Sequence, residues 1–291
     1  MKKYQLMAPG PTPVPSRVLL AMAEPIIHHR TPEYEKLVVE VRAGLKRVFQ
    51  TSQEIIPFAC SGTGVMEAAV VNTLSPGDVV AVVRAGKFGE RWVEIARAYG
   101  LDVIELSAPF GETVRTQRIA DTLRSRKDVR AVLTQRGSDA ILIVDAVSSL
   151  GIADLRMDEW GIDVVVAGSQ KGLMLPPGLG FCALSPRAWE RVRTARLPKY
   201  YFNLAEERKW IDKGEPRFTP AVSLVVGLRE VIRMLEAEGL PNVFARHDRL
   251  ARATRAGVEA LGLSLFAKSA PSPALTAVVP PSGVDSERIV A

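Results

Sequence analysis

Between residues 140 and 180 the chain reads AILIVDAVSSLGIADLRMDEWGIDVVVAGSQKGLMLPPGLG, with two uninterrupted apolar runs of strand length at 141–144 and 164–167. Both are rich in β-branched residues and neither alternates with polar positions. Such runs suit strands covered on both faces of a parallel sheet, not strands with one wet face. Each run ends in polar residues, Asp145 after the first and Ser169-Gln170-Lys171 after the second. Ligands of open α/β sheets gather at the carboxyl ends of the strands. An acid and a lysine leaving neighbouring strands at that edge therefore face one pocket.

The remaining punctuation agrees with an α/β chain. A short apolar run at 55–60 passes through Ser61-Gly62-Thr63-Gly64 into a helical pattern at 65–74, a strand, glycine-rich turn and helix in sequence. Backbone N–H groups and the helix dipole at such a junction favour a phosphate. The spacing is neither the dinucleotide G-x-G-x-x-G, because Glu67 stands at the third glycine, nor a P-loop, because no G-K-[ST] follows. Further strands are expected at 79–83, 103–106, 131–134 and 179–184. Helices are expected at 16–23, from Thr31-Pro32-Glu33 onward, after Gly86, and at 116–125 and 186–194. Thr219 before Pro220 reads as the N-cap of a later helix, and 243–261 as one more, followed by strands near 263–266 and 275–279.

Composition limits the alternatives. The 291 residues are 47% apolar and 24% charged, with a formal net charge of +6. The basic residues are spread beside acids without aromatic interleaving, which reads as solvated helix faces and not as a nucleic-acid surface. No apolar run reaches membrane-spanning length, the start is too short and broken for a signal sequence, and the cytoplasm is the expected compartment. Cys60 and Cys182, the two cysteines, each fall in an apolar strand-like run and read as core thiols of a reducing compartment. No Cys/His set has metal-ligand spacing, so no metal site is expected.

A lysine and a carboxylate at one sheet edge fit pyridoxal phosphate (PLP), which requires a Schiff-base lysine and an acidic partner for its pyridine nitrogen. Taken singly, Asp145 reads equally well as a connector cap and Lys171 as a solvated loop residue. VDAVSSLG and GSQKGLMLPPGLGF, with the separation from Asp145 to Lys171, resemble the class V aminotransferases of PLP fold type I. The likeness is to the alanine–glyoxylate, serine–glyoxylate and serine–pyruvate group, including enzymes labelled aspartate aminotransferase-like or soluble hydrogenase small subunit. It runs from PGPTPVP near the start to about Leu228.

The resemblance implies a mostly parallel sheet flanked by helices, with an arm at 1–15, a large PLP-binding domain at 16–238 and a smaller C-terminal α+β domain at 239–291. It implies transfer of an amino group from alanine, serine or aspartate to glyoxylate or pyruvate. Lys171 would carry PLP and move the proton, and Asp145 would hold the pyridine nitrogen. Ser61, Gly62, Thr63, Gly64 and Gln170 would bind the phosphate, and Phe88 would stack on the ring. Thr219 would reach the phosphate in the partner of a homodimer, and the arm would lie near the active site and reach across the dimer. A cysteine desulfurase-like enzyme and a non-catalytic PLP-fold subunit are the alternatives. The family's substrate-carboxylate arginine has no match here. Only four residues, 136–139, separate two strands expected to be parallel neighbours, which ordinarily need a crossover of about a dozen or more. A segment missing after Gln135 is therefore expected, with a true deletion as the alternative; the unfinished helix at 286–291 and the absent arginine lead to the expectation of a continuation past Ala291.

Overall fold

Residues on β6 (Val164–Gly168) alternate between two cores: Val165 and Ala167 face one, Val164 and Val166 the other, and all five positions of the strand are buried. The apolar run is continuous because helices cover both faces of its sheet. Burial of each such valine contributes about 1.5–3 kcal/mol. The computed structural model describes residues 8–133, 140–267 and 269–286.

The chain enters through α1 (Ser16–Met22) and α2 (Pro32–Phe49), whose N-cap Thr31 accepts from the Tyr34 amide at 3.4 Å with Pro32 in the first turn. Tyr34, Leu37, Val41, Leu45 and Val48 form the buried stripe of α2, at the spacing the sequence shows. Then follow β1 (Ile55–Phe58), α3 (Gly62–Thr73), β2 (Val79–Arg84), α4 (Lys87–Ala98), β3 (Asp102–Ser107), α5 (Thr116–Ser125) and β4 (Val129–Leu133). After β5 (Ile141–Asp145), β6 and β7 (Gly180–Leu184) come α6 (Pro186–Thr194), α7 (Leu204–Asp212), α8 (Val222–Glu238) and α9 (Leu240–Ala260). A short antiparallel pair, β8 (Ser264–Leu265) and β9 (Val278–Val279), follows.

The seven-stranded sheet has the order β1-β7-β6-β5-β4-β2-β3, with β7 antiparallel to both neighbours and the other pairings parallel. Helices α1, α2 and α8 pack around Phe49 and Phe181 on one face; α3, α4, α6 and α7 pack on the other around Val65, Trp92 and Ile143. Asp163 clamps the entry to β6. Its carboxylate accepts from the Leu142 amide at 2.8 Å, from Ser185 Oγ at 2.8 Å and from the Arg187 guanidinium. Burial alone would raise its pKa, but these donors, Arg187 foremost, hold it below the ordinary carboxylate value.

Four expectations need correction. Helix α3 begins at Gly62 with Ser61 as N-cap, its Oγ accepting from the Gly64 amide at 3.4 Å, so Gly62-Thr63-Gly64 is the helix's first turn and not a loop before it. Thr219 is not a cap. Ala221, at φ −75° and ψ 73°, is still outside the helix, α8 starts at Val222, and the Val225 amide donates back to Ala221. No helix is expected between 194 and Thr219, yet α7 lies there, capped by Asn203, whose side chain accepts from the Glu206 amide at 3.2 Å. Cys60 lies just beyond β1 instead of within it, half-buried, while Cys182 is buried on β7; both are free. Strands β4 and β5 are parallel neighbours, with Ala131 opposite Ile141 and Val132 opposite Leu142. The site expected for a missing segment, after Gln135, lies outside the described residues.

Candidate active site

Asp145 is the last residue of β5, and Gly168 the last of the parallel neighbour β6, so their carboxyl ends deliver Asp145 and the Ser169-Gln170-Lys171 segment to one edge. Strand β1 runs parallel to β6, since both are antiparallel to β7, so the N-terminus of α3 opens at that edge as well. Helix α4 enters there from β2.

Ser169 closes the loop that presents Lys171. Its Oγ donates to Pro176 O at 2.7 Å and accepts from the Leu179 amide at 3.2 Å. Gly172 is needed for close approach: a Cβ there would lie 2.2 Å from Leu150 O. The arm is tied to the same loop. The Thr12 amide donates to Gln170 O at 3.0 Å, its hydroxyl donates to Lys171 O at 3.0 Å, and Lys171 Nζ donates to Pro9 O at 2.7 Å.

Lys171 Nζ stands 6.0 Å from the centroid of the Phe88 ring, whose other neighbour is the Arg91 guanidinium at 5.4 Å. Arg91 Nη1 donates to Thr63 Oγ1 at 3.0 Å, which links Phe88 to the first turn of α3. Gly62 packs against Val147, Gly168 makes room for Gln170 by lacking a Cβ, and Gln170 Oε1 is buried without a hydrogen-bond partner. Asp145 accepts from the Val147 amide at 2.9 Å through Oδ1 and from Trp92 Nε1 at 3.3 Å through Oδ2. Burial raises the Asp145 pKa above the ordinary value against the pull of these donors and of Lys171. Burial lowers the Lys171 pKa, and the Asp145 charge opposes that shift only in part.

The structure thus brings together Lys171, Asp145, Gln170, Phe88 and the Ser61–Gly64 turn. Thr219 is exposed on the wall of a cleft lined by Tyr34, Phe58, Leu179, Tyr201 and Arg217. Trp92 and Arg91 were not singled out in the sequence. Their signal was the spacing of Phe88, Arg91 and Trp92, which puts residues three and four apart on one face of α4. Burial pushes the Cys60 thiol up to about 12, against the activation a nucleophilic cysteine needs. Among the described residues no cluster of His, Cys, Asp or Glu is placed to hold a metal ion, and no helix is long and apolar enough to cross a membrane.

An acid and a partly desolvated lysine beside a helix N-terminus, at the carboxyl edge of a doubly covered parallel sheet, define a PLP enzyme of fold type I. The family model "Aminotransferase class-V" matches residues 127–290. The chain is 44% identical to the soluble hydrogenase 42 kDa subunit of Anabaena cylindrica over 310 aligned positions, covering 99% of this chain and 81% of that protein. That alignment is longer than the chain's 291 residues, so the relative carries residues without a counterpart here. The L-aspartate–glyoxylate aminotransferase of Paracoccus denitrificans is 40% identical, covering 98% of the chain and 78% of the relative. The crystal structure of alanine–glyoxylate aminotransferase from Nostoc sp. superposes with a TM-score of 0.94 at 30% identity, over 99% of this chain and 83% of that one. The chain belongs to the class V aminotransferases, PLP-dependent transaminases.

The residues present fit that cofactor. The first turn of α3 offers backbone N–H groups that have no partner within the helix. Gln170 brings a side-chain amide whose NH2 can donate to a phosphate, Asp145 a carboxylate with both oxygens oriented, and Lys171 an amine that loses its proton more readily than an exposed lysine.

Proposed function

We propose that this chain moves an amino group from a small amino acid, alanine, serine or aspartate, to glyoxylate or pyruvate. The observation that carries the reading is the meeting of Lys171 and Asp145 at one sheet edge beside the α3 N-terminus. The names of the relatives support the substrate class.

Bound PLP supplies an electron-poor ring that stabilises negative charge developing at the substrate α-carbon. Lys171 would hold the cofactor and would move the proton at the substrate α-carbon as a general acid and base. Asp145 keeps the ring nitrogen protonated. Phe88 covers one ring face and keeps water from it. The Ser61–Gly64 turn and Gln170 hold the phosphate, where the helix terminus favours an anion. Thr219, exposed on the wall of its cleft, is assigned to the phosphate in the partner subunit of a cytoplasmic homodimer. Residues 16–238 form the large domain and 239–291 the small one.

Amino-acid challenge tests the reading. Holo-protein mixed with alanine, serine or aspartate alone should lose its visible absorbance within one half-turnover, release the matching oxo acid, and recover on addition of glyoxylate or pyruvate. A cofactor band unmoved by all three amino acids would refute it.

A further inference from the structure

Trp92 lies one helical turn beyond Phe88 on α4, is 4% exposed, and sends its indole N–H to Asp145 Oδ2 at 3.3 Å. Packing does not account for that contact. The ring is buried in the core cluster that holds Ile143 and Val166, yet its N–H ends on a carboxylate and not on apolar atoms. The Val147 amide takes the other oxygen at 2.9 Å, so two fixed donors from different elements define the plane of the Asp145 carboxylate. Both donors are rigid: one is backbone, the other an indole wedged in the core.

We propose that Trp92 is a positioning residue for the cofactor ring, acting through Asp145. This rests on the reading of Asp145 as the partner of the ring nitrogen. A proton shared between a carboxylate and a pyridine nitrogen resides on the nitrogen when the carboxylate's own affinity for it is weak. A donor already bonded to Oδ2 weakens that affinity, because hydrogen bonds to the ionised form favour it. The Trp92 N–H thereby keeps the proton on the ring, where it makes the ring electron-withdrawing. The same helix face presents Phe88 to the ring's surface, so α4 sets both the stacking and the charge of the cofactor. A hydrogen bond to a charged group of this kind corresponds to about tenfold or more in the step it supports.

The test loads Trp92→Phe and Asp145→Asn with PLP labelled by 15N in its ring and records the ring-nitrogen resonance at neutral pH. The wild-type resonance should sit at the pyridinium end. Trp92→Phe should move it toward neutral pyridine and slow the half-reaction with amino acid about tenfold; Asp145→Asn should move it fully. A lost packing contact alone would lower thermal stability and leave the resonance in place, and that result overturns the proposal. If Asp145→Asn also leaves the resonance unmoved, the reading of Asp145 itself fails. Should Trp92→Phe not fold, the indole N–H resonance of Trp92 decides: Asp145→Asn must shift it, and an unshifted resonance contradicts the contact.

Discussion

Lys171 works in a setting built by its neighbours. Its loop is closed by Ser169, its carbonyl is held by Thr12, and its amine is capped by Pro9. Burial lowers its pKa from the ordinary 10.5. The neutral amine attacks a carbonyl, so a lowered pKa increases the reactive fraction at any pH below it. The rate of PLP capture should therefore rise with pH to a midpoint below 10.5; stopped-flow absorbance across a pH series measures it, and a midpoint at or above that value would mean that Asp145 outweighs burial. Lys171 and Asp145 were legible in the sequence because strand-length apolar runs end on them. Trp92 was not. An apolar side chain on an amphipathic helix looks the same whether its N–H meets a carboxylate or nothing, and only the packing of α4 against β5 distinguishes the two.

Elements are placed by a few polar clamps as well as by the cores. Asp163 joins the start of β6 to β5 through the Leu142 amide and to α6 through Ser185 and Arg187, and so fixes the register that brings Asp145 and Lys171 to one edge. Asp163→Asn removes the carboxylate charge that faces Arg187 and should cost about 2 kcal/mol of unfolding free energy, read from urea denaturation; an unchanged midpoint would remove the clamp from the account. Its folded pKa lies below the unfolded value of 3.8, so its contribution is present above that pH and is lost as pH falls through the folded pKa. The strands were readable from β-branched runs and α2 from its Thr-Pro start. The start of α8 was not: Thr219-Pro220 carries the residue types of a cap, but the conformation of Ala221 delays the helix by two residues. Helix α7 was hidden because Leu204 is its one fully buried residue, leaving no apolar stripe to detect.

At the scale of the whole molecule, the strand order sends the carboxyl ends of β1, β2, β5 and β6 to one edge, while Thr219 lines a cleft with Phe58, Leu179 and Tyr201. If active sites are shared in a dimer, mixing Lys171→Ala with Thr219→Ala chains should restore activity to about a quarter of wild type, because a mixed dimer of twofold symmetry has one intact site. Mixtures no more active than either variant alone would place Thr219 outside the site. The mostly parallel sheet was foreseeable from the strand-length apolar runs, and the arm's place near the site from the family resemblance; its particular bonds, Thr12 and Pro9 to Lys171, depend on tertiary contacts that no local pattern encodes. The account as a whole rests on Lys171 as the attachment point of PLP. Borohydride reduction of the holo-protein, digestion and mass mapping test that directly. The account predicts a phosphopyridoxyl group on Lys171 and none in Lys171→Ala; the group on another lysine, or its persistence in the variant, would contradict it.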